Sequence, residues 1–102
     1  MPDQLEKRVR RRDDGSISTE GYCFNGRTHR EGGPAIIVYY PDGPVKRESY
    51  WFNSRRHREG GPAVIDYYPD GSVKREAYWF DGRLHHEDGP AEIEYDKGEK
   101  YA

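Results

Sequence analysis

The chain says nearly the same thing three times. Gly-Pro-Ala falls at 33–35, 61–63 and 89–91, a step of 28 residues. The same step carries Tyr22-Cys23-Phe24 to Tyr50-Trp51-Phe52 and Tyr78-Trp79-Phe80. It also carries Asp14-Gly15 to Asp42-Gly43 and Asp70-Gly71, and His29 to His57 and His85. A fixed period in this range marks a repeat architecture, in which one unit cannot bury its apolar face alone and stacks on its neighbours. Tandem copies make a surface and seldom a single catalytic pocket.

The length of 102 residues bounds the chain to one small domain. Only 32% of it is hydrophobic against 35% charged, which argues against a thick two-layer core. Yet 14% is aromatic, more than a disordered chain carries, so a thin sheet stapled by aromatic rings is expected.

Within a unit, Ala63-Val64-Ile65-Asp66-Tyr67-Tyr68 is a β-branched and aromatic run. Pro69-Asp70-Gly71 follows, then Ser72–Phe80. Two such runs around a short Pro-Asp-Gly segment form a hairpin. Pro presets φ, Asp suits the next position, and Gly takes the left-handed one, giving a three-residue loop with a bulge. That register pairs Tyr68 with Ser72, Tyr67 with Val73, Ile65 with Arg75 and Ala63 with Ala77. It gathers Ala63, Ile65, Tyr67, Val73, Ala77 and Trp79 on one face. The other face receives Val64, Asp66, Tyr68, Lys74, Glu76, Tyr78 and Phe80, with Asp66 opposite Lys74. The alternative, Ile65 opposite Glu76, is a poorer match of side chains. Between units, Asn25-Gly26 and Asp81-Gly82 mark tight turns, and the Gly-Pro step calls for permissive φ before a strand starts.

The fold class read from this pattern is all-β: an elongated single-layer antiparallel meander of stacked β-hairpins, with about three 28-residue repeats and six or seven strands. Residues 1–12 lie outside the repeat as a basic N-terminal arm, and 13–102 form the repeat domain. The arm, with Lys7, Arg8, Arg10, Arg11 and Arg12, is either a solvated terminus or irregular first strand, or an anchor for an acidic partner, RNA or anionic lipid.

Net charge of -2 and a pI near 6.1 do not favour nucleic-acid binding through bulk charge. Interleaved Glu48, Glu76, Asp66, Glu92 and Glu94 would repel phosphates. The lone Cys23 stands where the other copies have Trp and reads as a small apolar filler; a reducing cytoplasm is the expected location. The first residues lack the apolar stretch of a signal peptide, and no apolar run is long enough to span a membrane.

Catalysis and metal binding are not expected. Equivalent His residues two strands apart sit about 10 Å apart, too far to share one ion. Each His is instead expected to fasten its loop through a ring hydrogen bond to backbone. The recurring His-x-Glu (His29/Glu31, His57/Glu59, His85/Glu87) reads as architecture, since an enzyme needs one concave site that excludes water. No cofactor motif is visible.

The run Tyr-Trp-Phe-Asp-Gly-Arg-Leu-His, then Gly, then Tyr-Tyr-Pro-Asp-Gly, resembles the MORN repeat. It is closer still to MORN-like repeats of bacterial antitoxin-type and phage proteins, whose units look like Asn-Gly-x-x-His-Arg-Glu-Asp-Gly-Pro-Ala. Residues 14–102 are covered. The family's His-Gly step departs here to Arg30, Arg58 or His86. The resemblance implies a sheet of stacked hairpins with a protein-binding or scaffolding role and brings no catalytic residues. The expected function is stoichiometric, non-enzymatic binding of another protein: an inhibitor of antitoxin, immunity or phage anti-defence (anti-CRISPR-type) character, acting by occlusion. A self-associating scaffold, such as a homodimer, and nucleic-acid or lipid binding through the arm are the alternatives. Candidate partner-binding residues are Tyr40, Tyr50, Phe52, Arg56, Arg58, Asp66, Tyr68, Tyr78, Phe80, Glu92 and Glu94, because Tyr beside Arg is typical of interface hot spots. Trp51 and Trp79 are expected to pack between units.

Overall fold

A computed structural model describes residues 5–96. Residues 1–4 of the basic segment and 97–102 of the expected repeat domain lie outside the described residues. The described chain is all-β. Its strands are β1 (Leu5–Arg11), β2 (Ile17–Phe24), β3 (Arg27–Thr28), β4 (Ile36–Tyr39), β5 (Val45–Ser49), β6 (Trp51–Phe52), β7 (Arg55–Arg56), β8 (Val64–Tyr67), β9 (Val73–Ala77), β10 (Trp79–Phe80), β11 (Arg83–Leu84) and β12 (Glu92–Glu94). The main sheet is antiparallel in the order β1-β2-β4-β5-β8-β9-β12, with β3 paired to β2. Two short ribbons, β6-β7 and β10-β11, repeat the β2-β3 turn further along. The molecule is flat, 57 × 40 × 17 Å.

The hairpin turns form as their residues dictate. Gly15, Gly43 and Gly71 have φ of 90°, 114° and 92°, the left-handed region that Gly enters freely. Each closes a three-residue loop: Gly71 N–H donates to Tyr68 O at 2.9 Å, and Tyr68 N–H to Ser72 O at 2.8 Å. Asn25-Gly26 and Asp81-Gly82 place two consecutive residues at positive φ, as the tight primed turn demands. At the middle turn the second residue is Ser54, held at φ 66°.

Beyond the loop the expected register fails. Tyr67 pairs with Val73, but then Asp66 faces Arg75, Ile65 faces Glu76 and Val64 faces Ala77. Lys74 is an extra, bulged residue, as are Lys46 and Ser18 in the equivalent hairpins. The faces are therefore re-sorted. Glu76 and Tyr78 join Ile65 and Tyr67, while Ala77 and Trp79 join Val64 and Asp66. The supposedly poor match of Ile65 with Glu76 is repaired by a third strand, whose tyrosine supplies the carboxylate with a donor.

The basic segment, expected outside the repeat, supplies β1, which pairs with β2 in the register that β4 uses with β5 and β8 with β9. Val9 stands where Ile37, Ile65 and Ile93 stand. Arg12 occupies the place of Tyr40 and Tyr68: its guanidinium donates to Tyr39 O at 2.6 Å, as the Tyr40 hydroxyl does to Tyr67 O.

The covered core is thin. Ala35, Ala63 and Ala77 are fully buried and Val64 nearly so, and no large described side chain is fully buried. With so little apolar volume enclosed, cohesion falls to backbone ladders and cross-strand side-chain pairs.

Candidate interaction faces

One row of side chains crosses the whole sheet: Val9, Glu20, Ile37, Glu48, Ile65, Glu76, Ile93. An aliphatic residue alternates with a glutamate. Each glutamate accepts a hydrogen bond from a tyrosine of the next hairpin: Tyr39 to Glu20, Tyr67 to Glu48 at 2.5 Å and Tyr95 to Glu76 at 2.6 Å. Bonds to an ionised acceptor are about twice as strong as neutral ones. Lys7 adds an ion pair to Glu20 at 2.8 Å. The hydrogen bond to Glu20 pushes the Tyr39 phenol up to about 12. Burial, then the bond to Glu48, raises Tyr67 further. Glu20 is held below the usual carboxylate range by the bonds from Lys7 and Tyr39.

The same face carries Tyr22, Tyr50 and Tyr78. The Arg30 guanidinium stacks on Tyr22 at 3.9 Å and Arg58 on Tyr50 at 4.0 Å. In the last copy His86 lies parallel to Tyr78 at 3.8 Å. Arg30, Arg58 and His86 also reach the carbonyls of Pro34, Pro62 and Pro90. This explains the Gly before Pro34 and Pro62, though at Gly89 a Cβ would meet His86 only at 3.5 Å, an ordinary contact. A Cβ on Gly61 would lie 3.0 Å from the Arg58 guanidinium carbon, so the need is close approach rather than permissive φ.

The opposite face holds Ile36, Val64 and Glu92 in one row, and Val38, Arg47, Asp66, Arg75 and Glu94 in the next. Asp66 is bridged by Arg47 at 2.5 Å and Arg75 at 3.2 Å, and Arg75 also bonds Glu92 at 2.8 Å. Further along this face Arg56 lies between the rings of Trp51 and Trp79, at 5.4 and 5.1 Å. Trp51 Nε1 donates to Ser49 Oγ. Trp79 has Ala77 in the corresponding place, and its Nε1, like Arg56 Nε, is covered without a partner.

Along the loop edge runs a column of rings, Phe24, His29, Phe52, His57 and Phe80, with centroid separations of 5.5, 4.6, 6.1 and 4.5 Å. His29 Nδ1 accepts from Asn53 N–H and His57 Nδ1 from Asp81 N–H, which puts the ring proton on Nε2. His29 and His57 thus do bond backbone through the ring, but each clamps the turn of the following copy rather than its own loop. Nε2 of His29 and His57 stand 3.8 and 3.9 Å from Glu31 and Glu59. Among the described residues no group of three His, Cys, Asp or Glu side chains could hold a metal ion.

The candidate residues scatter over these features. Tyr50, Tyr78 and Arg58 belong to the glutamate–tyrosine face. Tyr40 and Tyr68 staple neighbouring hairpins by donating to Tyr67 O and Tyr95 O. Phe52 and Phe80, about half exposed, lie in the ring column. Asp66, Glu92 and Glu94 lie on the opposite face, Asp66 and Glu92 joined through Arg75, with Arg56 apart from them between the tryptophans. Sequence reasoning missed Glu20, Glu48 and Glu76 as partners of Tyr39, Tyr67 and Tyr95, although both sets recur at the 28-residue step, 19 residues apart. It also missed the bridging of Asp66 by Arg47 and Arg75.

A groove of about 620 Å³ runs between Arg58, Pro62, Tyr78, Phe80 and His86, open to solvent at the last joint between copies. No described helix is long and apolar enough to cross a membrane. Comparison with protein-family models, curated proteins and solved structures gives no match.

Proposed function

We propose that the chain is a non-enzymatic MORN-like module, a single-layer sheet of three 28-residue units, that binds another protein stoichiometrically through one face. One observation carries this reading. The glutamate–tyrosine face repeats its Ile, Glu and Tyr residues in every copy, with only the stacked Arg30/Arg58/His86 changing, whereas the opposite face changes at most positions, Arg47/Arg75 and Trp51/Trp79 being the ones it keeps. There the copies read Ile36/Val64/Glu92, Val38/Asp66/Glu94, Cys23/Trp51/Trp79 and Thr28/Arg56/Leu84. Positions that hold a sheet together recur; positions that fit an irregular partner do not. Half-covered Trp and Arg beside exposed charge suit a protein interface. Occlusion by a preformed surface is the mechanism, and an inhibitor of antitoxin, immunity or phage anti-defence type in the cytoplasm is the role.

The test is capture from source-cell lysate on the immobilised chain, with Ile36→Glu/Arg56→Glu alongside and folding checked by thermal melt. A single partner retained at equimolar ratio by the wild type and lost by the variant is expected. No partner, or one held equally by both, contradicts the reading.

A further inference from the structure

The first and last strands of the described sheet carry opposite charge. β1, exposed along its length, presents Lys7, Arg8, Arg10 and Arg11 against one acid, Glu6, which lies 3.4 Å from Arg8, while Lys7 pairs with Glu20. β12 presents Glu92 and Glu94, both exposed, with Glu92 also bonded to Arg75 of its own chain at 2.8 Å. Among the described residues nothing pairs with the outer side of either strand. Unpaired edges invite another strand.

We propose that β12 of one copy of this chain adds to β1 of the next, head to tail and parallel, so that the protein associates into open chains. Because the sheet alternates direction at every step, its first and last strands point the same way, and their contact is parallel. The rows of the sheet then run on without a break. Arg8 lies in the row of Glu92, Val9 in that of Ile93, and Arg10 in that of Glu94. Continuing those rows sets Glu92 beside the next copy's Arg8 and Glu94 beside its Arg10, on one face. On the other face Ile93 covers Val9, an apolar side chain left 42% exposed in the free chain.

The backbone agrees with this register. Tyr95 N–H is spent on Lys74 O inside the sheet, so strand alternation points Glu92 and Glu94 backbone groups at the open edge. Arg12 N–H is spent on Ser16 O, so Arg10 and Arg8 point inward and Lys7, Val9 and Arg11 outward. A residue in a parallel ladder bonds the two neighbours of the residue opposite it. Glu92 opposite Arg8 therefore meets the free groups of Lys7 and Val9, and Glu94 opposite Arg10 meets those of Val9 and Arg11. A slip by one residue would lose these bonds and put every charge on the wrong face. Closed two-fold pairings are disfavoured: β1 on β1 sets arginines against arginines, and β12 on β12 sets glutamates against glutamates. A contact between different patches that does not close gives open chains. This interface does not depend on the partner-binding reading above, and either can fail without the other.

The test is mass by sedimentation and light scattering across a concentration series in low salt, on the full chain. Mass that climbs past the dimer with concentration is expected, falling back as salt screens the edges. Arg8→Glu/Arg10→Glu and, separately, Glu92→Lys/Glu94→Lys should each weaken association at least about tenfold. Combining all four substitutions swaps the edges and should restore it, which separates edge complementarity from a folding defect. A wild type that stays monomeric throughout overturns the proposal. So does a closed dimer, or association that the single-edge reversals leave unchanged, or a four-fold variant that stays monomeric while folded.

Discussion

The two faces of this sheet are built on opposite plans. On one, Ile37/Ile65/Ile93, Glu20/Glu48/Glu76, Tyr22/Tyr50/Tyr78 and Tyr39/Tyr67/Tyr95 recur without change, and the carboxylates are bonded to tyrosines of the neighbouring hairpin. On the other, most positions differ between copies, Arg47/Arg75 and Trp51/Trp79 aside, and bonding is patchy: Trp51 has its acceptor in Ser49, whereas Trp79 has none. A sheet this thin cannot rely on buried volume. It invests its repeated residues in bonds that tie one hairpin to the next, and the opposite side is released from that duty.

The largest effect separates a histidine bonded to the following turn from one that, among the described residues, is not. His29 is 7% exposed, packed between Phe24 and Phe52 and bonded to Asn53 N–H. His29→Ala should cost about 2–3 kcal/mol in denaturant unfolding, by lost packing and an orphaned donor. His85→Ala, exposed and outside the column, should cost under about 0.5 kcal/mol. Equal costs would mean that the repeated residues act within their own copy and do not clamp the next.

Tyr67→Phe leaves Glu48 short of a donor on a half-buried face and should cost about 1–2 kcal/mol. Glu94→Gln on the varying face should stay within about 0.5 kcal/mol. The same face sets an alkaline limit. Tyr39 titrates near 10 when unfolded and at about 12 when folded. Its contribution is complete below about pH 10 and is lost as pH rises through about 12. Tyr67 is raised in the same direction, so the melting temperature should fall steeply in that window, and less steeply in Tyr39→Phe. A flat profile would contradict the tyrosine–carboxylate bonding.

Ala77→Ser copies Ser49 into the site beneath Trp79 and should gain about 0.5–1 kcal/mol by giving Nε1 an acceptor. Ser54→Gly, at φ 66° where the other copies of β2-β3 type carry Gly, should gain about 0.5 kcal/mol. A loss in either case would show that the middle and last joints are already adapted to their departures from the repeat.

Much of this was legible in the sequence. The 28-residue step gave the hairpins and the loop glycines, because turn chemistry is local, and a ring-to-backbone bond for the histidines, but not that the bond reaches the next copy's turn 24 residues on. The bulge at Lys74 was not, since Ile65 opposite Glu76 looks unfavourable for a pair in isolation. Only the third strand, bringing Tyr67 to Glu48 and Tyr95 to Glu76, makes it sound. The place of β1 was hidden by charge: arginines replace tyrosines at 11 and 12, and Val9 alone keeps the aliphatic mark of Ile37, Ile65 and Ile93. The candidate residues divided for the same reason, since assigning a side chain to a face needs the register that the bulge shifts.

The most direct measurement is a pair of double-mutant cycles in equilibrium unfolding, one on each face. Tyr67→Phe with Glu48→Gln should show a coupling of about 1–2 kcal/mol. Arg47→Met with Asp66→Asn, a bridge whose arginine is 43% exposed and in which Arg75 remains to serve Asp66, should show about 0.5 kcal/mol or less. Additive substitutions at Tyr67 and Glu48, or a stronger coupling on the varying face, would contradict the division of the sheet into a face that holds it together and a face free to vary.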